Sequence, residues 1–221
     1  MKKSSYILYL TLLTGLSAGA QFPTFSLGTD LGLMQNFRQE QRFSTISYRV
    51  NANFHLGRRD GITTTFTLSG NGNYRNSLVA TAKDLSTTVQ ELPYTNKGKM
   101  RFRQLSVGWK RYLKGAPDAG TGWNLYGYAG FGLLLGRIDN LHSQVIDTVT
   151  YLLPVQEGMG HFKRLTFDLA IGWEKPVGGD FYFYTEARAF IPSSDYPSRY
   201  LLVNKNAPFA GMLGAGLRIL F

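Results

Sequence analysis

The 221-residue sequence contains no cysteine, so no disulfide can hold it together. Charge is scarce: Asp, Glu, Lys and Arg make up 17% of residues, against about a quarter in soluble domains. Acid is the scarcer sign, with 14 Asp and Glu against 24 Lys and Arg. That balance points to an acidic partner, but no basic motif interleaved with aromatics argues for nucleic acid. Beyond the first twenty residues no apolar run is long enough for a membrane-crossing helix. Helical periodicity is poor throughout. No composition break, proline-rich linker or heptad run divides the chain, which reads as one domain. There are three histidines, and no cluster of residues has metal-ligand spacing. No metal and no cofactor are expected.

What is present begins with a leader-like segment. "MKKSSYILYLTLLTGLSAGA" has Lys2 and Lys3, an apolar stretch from Tyr6 to Leu16, and then Ala18-Gly19-Ala20. A basic start, a short apolar core and a small-residue cleavage site mark a secretory signal peptide. The stretch is too short to serve comfortably as a membrane anchor. Residues 1–20 are therefore expected to be removed, leaving a domain over 21–221. Without Lys2 and Lys3, 22 basic residues face 14 acidic ones, a formal charge of +8. For an exported chain the acidic partner is anionic lipid or polysaccharide.

Period-two alternation then recurs eight times, the pattern of half-buried strands. In "FSLGTDLGLM", Phe25, Leu27, Leu31 and Leu33 alternate with Ser26, Gly28, Asp30 and Gly32. In "ISYRVNANFHLG" the polar file is Ser47, Arg49, Asn51, Asn53 and His55. "ITTTFTLSGNGNYR" sets Ile62, Phe66, Leu68 and Tyr74 against a polar file ending in Asn71, Asn73 and Arg75. Five further runs pass through Val107, Phe131, Phe167, Ala187 and Leu217. Short connections fall near 58–61, where Asp60-Gly61 signals a tight hairpin, and near 114–122 and 176–180. Longer ones fall near 36–44, 77–99, 137–161 and 193–206. This is an up-and-down meander with its short turns at one end.

Alternation alone does not say which face is inside. The polar face is rich in glycine and carries both signs of charge, a composition suited to a narrow lumen in which ions must be paired. The expected lumen ion network is Asp30, Arg49, Asp168, Glu174, Glu186, Arg188 and Arg218. Trp109, Trp123, Trp173 and Phe181 all lie beside short turns, as an aromatic girdle at one membrane interface would. The sequence closes on Leu217, Ile219 and Phe221, apolar where a last strand would pair with the first and leave no edge. The apolar faces then belong in lipid. The fold expected is all-β, an eight-stranded antiparallel up-and-down transmembrane β-barrel.

A signal peptide, eight alternating strands, short turns at one end and the closing "LRILF" together resemble the small bacterial outer-membrane β-barrels of the OmpA/OmpX type. The "YGYAGFG" strand text and the basic character are similar to outer-membrane barrel families of Bacteroidota, including PorT-like proteins. The resemblance implies a Gram-negative outer membrane, with lipid and lipopolysaccharide as surroundings. It also implies that Leu217, Ile219 and Phe221 are presented to the barrel assembly machinery. A non-enzymatic role follows: structural, surface-interacting or accessory to secretion. Two other readings stay open, a soluble periplasmic lipocalin-like barrel carrying a small apolar ligand, and a lipid-modifying enzyme. For the enzyme the one candidate pair is His142 and Ser143, and adjacency alone does not make a nucleophile–base pair. The basic group Lys83, Lys97, Lys99, Arg101 and Arg103 is placed in and beside the 77–99 loop. It either meets lipopolysaccharide phosphates or is merely solvated.

Overall fold

The structure, a computed structural model, describes residues 25–195 and 207–221. The expected leader, residues 1–20, lies outside the described residues. Strands are β1 (Phe25–Asn36), β2 (Phe43–His55), β3 (Asp60–Ser69), β4 (Gly72–Ala82), β5 (Glu91–Lys114) and β6 (Asn124–His142). They continue with β7 (Tyr151–Leu152), β8 (Gly158–Gly178), β9 (Phe181–Pro192) and β10 (Ala210–Leu220). Every pairing is antiparallel between neighbours, and β1 pairs with β10 from Ser26↔Leu220 to Asn36↔Ala210, which closes the sheet. Because β3 and β4 both pair with β5, end to end, they fill one position. The result is the expected eight-stranded closed barrel.

The stagger of the barrel follows from its register. From Phe25 the ladder runs through Phe54, Ile62, Trp109, Ala129, Leu169, Ala189 and Gly211 to Gln35, ten residues further along β1. With a rise near 3.3 Å per residue and a strand spacing near 4.8 Å, strands tilt by about 41° and the radius is about 8 Å. A bore that narrow is filled by side chains.

The apolar files face outward. Leu31, Leu33, Ile46, Phe131, Leu165 and Leu213 are each at least 63% exposed. Arg49, Asp168, Glu174 and Arg218 are buried. Water would penalise so large an apolar exterior, and lipid would not. On β6 the outward file from Leu125 to Leu135 spans ten residues, which at this tilt makes an apolar belt about 25 Å tall, the thickness of a barrel's lipid band.

Two sequence expectations are corrected. The first concerns the third alternating run. Between β3 and β4 the strand breaks at Gly70-Asn71, and the inward parity switches from odd residues (Thr63, Thr65, Thr67) to even ones (Gly72, Tyr74). Tyr74, expected on the apolar exterior, is therefore buried inside, while Asn71, Asn73 and Arg75, expected on the lumen face, are exposed outside. Gly70 N–H donates to Ile46 O (2.7 Å) and Phe102 N–H to Ser69 Oγ (2.7 Å), so the break is hydrogen-bonded on both sides.

The second concerns the long connections. Positions 77–99 are mostly strand, and so are both ends of 137–161: β4, β5, β6 and β8 continue past the belt, leaving connections of only 83–90 and 143–157. The 36–44 connection keeps one short 3-10 turn, Gln39–Gln41. The expected 193–206 loop lies largely outside the described residues. Within 143–157, β7 pairs with the end of β4, and Tyr151 and Leu153 pack on a small cluster of Ala80, Tyr94 and Ile146.

At the other end the turns are short, as expected. The first is set by Leu56 N–H donating to Asp60 O (2.9 Å), so Asp60-Gly61 already belongs to β3 and the turn lies one step earlier. In the 115–123 turn Gly115 has a φ of +83°, and a Cβ there would sit 1.7 Å from Asn124 Oδ1. Asn124 Nδ2 meanwhile donates to Ala116 O (2.9 Å), tying the turn to β6. Gly115→Ala is expected to cost roughly 1–3 kcal/mol, measured as a lower urea midpoint for the barrel refolded in lipid vesicles.

Candidate functional site

Strand alternation brings eight charged side chains into the lumen from six strands, four of each sign: Asp30, Asp168, Glu174 and Glu186 with Arg49, Lys110, Arg188 and Arg218. They sort into layers from the short-turn end upward. In the lowest layer Arg218 Nη2 donates to Glu174 Oε1 (2.9 Å), Lys110 Nζ lies 3.6 Å from Glu174 Oε2, and Asn124 donates to the same carboxylate (3.0 Å). In the layer above, Arg49 Nε donates to Asp30 Oδ2 (2.7 Å), and Arg49 also pairs with Glu186. Arg188 Nε reaches Glu186 at 2.9 Å. Every ion of these two layers thus has an opposite partner, without which burial would be prohibitive.

The sequence-derived network divides accordingly. Asp30, Arg49, Glu186 and Arg188 come together in one layer, and Glu174 and Arg218 in another. Asp168 joins neither. It accepts hydrogen bonds from Gln104, Thr166 (2.6 Å) and Ser106 instead. It sits higher, where its neighbours on β5 and β8 are amides and hydroxyls.

Sequence reasoning missed three things. Lys110, inward on β5 beside Glu174, belongs to the network and is absent from the expected set. The lumen tyrosines do more than fill space: Tyr126 donates to Glu186 (2.9 Å) and Tyr184 to Asp30, while Arg218 and Arg188 stack on Tyr182 and Tyr128 at 4.0 and 4.2 Å. Tyr182 and Tyr184 share the inward file of Glu186 and Arg188 on β9, and Tyr126 and Tyr128 that of Asn124 on β6, and that alternation was the signal. The third is an apolar layer at the long-loop end, where Met34, Phe43, Met100, Phe102, Leu134, Ile138 and Phe190 meet and Val155 of the 143–157 connection folds in over them. These residues lie mostly at the ends of alternating runs or beyond them, where alternation no longer signals which side is inside.

The remaining expected sites fall as follows. Trp123 and Phe181 stand exposed at the short-turn rim. Trp109 is higher on β5 and donates its indole N–H down to Asp60 (2.9 Å), and Trp173 packs edge-on against Phe183. Leu217, Ile219 and Phe221 form one outward file at the seam, where Phe221 N–H donates to Phe25 O (2.9 Å). His142 ends β6 with its ring 4.7 Å from that of Tyr94, and burial there lowers its pKa below the ordinary histidine value. Ser143 Oγ accepts Thr95 N–H (3.0 Å), and among the described residues no hydrogen bond joins the side chains of His142 and Ser143.

No family model and no curated protein matches the sequence. Solved structures do. Neisserial surface protein A matches with a TM-score of 0.51 at 12% identity over 89% of this chain and 97% of that one. The N-terminal β-barrel domain of Pseudomonas aeruginosa OprF gives 0.49 at 11% identity over 91% and 100%. The outer membrane protein OprG of the same organism gives 0.48 at 10% over 89% and 97%. Identities this low speak to architecture alone, and the likeness to PorT-like proteins remains one of sequence character. The chain has the fold of the small eight-stranded bacterial outer-membrane β-barrels.

Proposed function

We propose that the chain, after removal of residues 1–20, is a non-enzymatic barrel of a Gram-negative outer membrane. Its role is structural or surface-interacting, and its working surface is the wall of strand that rises above the lipid belt. One observation carries this reading: the barrel is inside-out, with a closed belt of leucine, isoleucine and phenylalanine outside and paired ions inside. A carrier of small apolar ligands needs the opposite arrangement and an open cavity. Here the space left among the lumen charges is about 10 Å³, room for one water at most.

In this setting Trp109, Trp123, Trp173 and Phe181 serve as the periplasmic girdle. Leu217, Ile219 and Phe221 serve as the file read by the assembly machinery, since they lie together on the outward side of the closing strand. Lipid and lipopolysaccharide are the expected surroundings. The test is fractionation with heat-modifiability. The full chain is expected in the outer membrane, migrating differently on SDS gels before and after boiling. A freely soluble periplasmic protein with no mobility shift would overturn the reading.

A further inference from the structure

Because the lumen holds four charges of each sign, the chain's excess of basic residues must lie elsewhere. Much of it lies on one outward surface. Going up β5, the exposed file reads Trp109, Val107, Leu105, and then Arg103, Arg101, Lys99 and Lys97. On β6, Leu133 and Leu135 give way to Arg137; on β8, Phe167 and Leu165 give way to Lys163. All three changes fall at about the same height, some 25 Å above the short-turn rim at this tilt. The switch from apolar to basic therefore marks the upper edge of the belt.

Register sharpens the pattern. Arg101 lies directly opposite Arg137, and Arg75 directly opposite Lys97. Like charges in facing positions destabilise a sheet. Among the described residues neither pair is relieved by an ion pair with an acid. Asp139, opposite Lys99, is the one acid among these facing positions. The strand break at Gly70-Asn71 builds this surface. It turns Arg75 outward to meet Lys97, and Asn71 Oδ1 accepts from Arg101 Nε and holds that guanidinium in place. Two concavities border the pairs, one of about 570 Å³ beside Arg75, Lys97 and Lys99, and one of about 130 Å³ beside Arg101 and Arg137.

We infer that this outward face of β4, β5, β6 and β8 binds the phosphate-bearing headgroup of an outer-leaflet glycolipid. The inference rests on the membrane reading above. A lipid is favoured because the basic files stand directly on apolar ones. One amphiphile can set its phosphates on Arg101 and Arg137 and lay its acyl chains along Leu105, Leu133 and Leu165. A soluble polyanion would use only the upper half. Arginine pairs suit phosphate because each guanidinium donates in a planar fork.

The test uses the full chain inserted in phosphatidylcholine vesicles containing diphosphoryl lipid A, with dephosphorylated lipid A as the comparison. Lipid retained per barrel is read by native mass spectrometry. Wild type is expected to prefer the phosphorylated lipid by at least about tenfold. Arg75→Gln/Lys97→Gln/Arg101→Gln/Arg137→Gln is expected to lose that preference, and Arg101→Lys/Arg137→Lys to keep most of it. Arg58→Gln/Arg59→Gln, at the opposite rim, should change nothing, and a boiling shift on gels certifies that each variant is folded. Equal retention of the two lipids by wild type, or an unchanged preference in the quadruple variant, would overturn the inference while leaving the membrane reading intact. So would displacement of the lipid by soluble heparin or inorganic phosphate at matched charge. A chain that does not insert into vesicles at all would overturn both.

Discussion

Glu174→Gln is expected to destabilise the barrel by about 3–5 kcal/mol, the range for removing one partner of a buried ion pair. Glutamine keeps the shape, so no cavity contributes and the loss reports charge. Glu174 is fully buried between Arg218 and Lys110. Without its charge two cations are left near each other in a dry layer, with neutral company: Asn124, the Pro117 carbonyl and the tyrosine rings. Urea unfolding in phosphatidylcholine vesicles measures the loss. Adding Arg218→Gln is expected to recover part of it by removing one orphaned cation, a coupling that a double-mutant cycle reads directly. The exposed pair Arg38–Asp195, at 3.6 Å, is the control and is expected to be worth less than about 1 kcal/mol. A loss for Glu174→Gln as small as that would mean water reaches the layer and solvates it.

Phe102→Ala is expected to cost a similar amount, about 3–5 kcal/mol, through a cavity rather than a charge. Phe102 is buried in the upper apolar layer, its ring 5.6 Å from Phe43 and 6.4 Å from Phe162. The barrel has two seals in series, this apolar layer and the ion layers beneath it. The wild type is accordingly expected to show no unitary conductance in planar bilayers, and Phe102→Ala to remain silent despite its lost stability. A conducting Phe102→Ala variant would show that the apolar layer is the sole seal and that the ion layers leak.

The two predictions differ in how far the sequence foretold them. The charges of the ion layers were legible because each sits in an alternating file, and a period of two leaves no choice of face once the exterior is assigned to lipid. What alternation could not say was which charge meets which. Asp168 looks equivalent to Glu174 and Glu186 along the chain. The stagger of ten residues places it instead among Gln104, Ser106 and Thr166. Pairing across a barrel depends on tilt, and tilt is a property of the closed sheet rather than of any strand.

By itself the sequence determined the number of strands, their up-and-down order, the end with the short turns, and the face each regular strand turns to lipid. These are consequences of local patterning, namely period-two hydropathy and turn residues. Only the tertiary structure decided where the strands end and where the pattern inverts. β4, β5, β6 and β8 continue as strand past the belt because backbone groups there still find ladder partners, although their outward side chains have become polar and basic. At Gly70-Asn71 one strand position is filled by two segments of opposite parity, held by hydrogen bonds that Ser69 Oγ and Ile46 O accept and that no local pattern encodes. That break carried Tyr74 inward and Arg75 outward. A slip of a single residue in a period-two structure exchanges its faces, so the position of one break decided that Arg75 joins the outward basic surface and Tyr74 the interior.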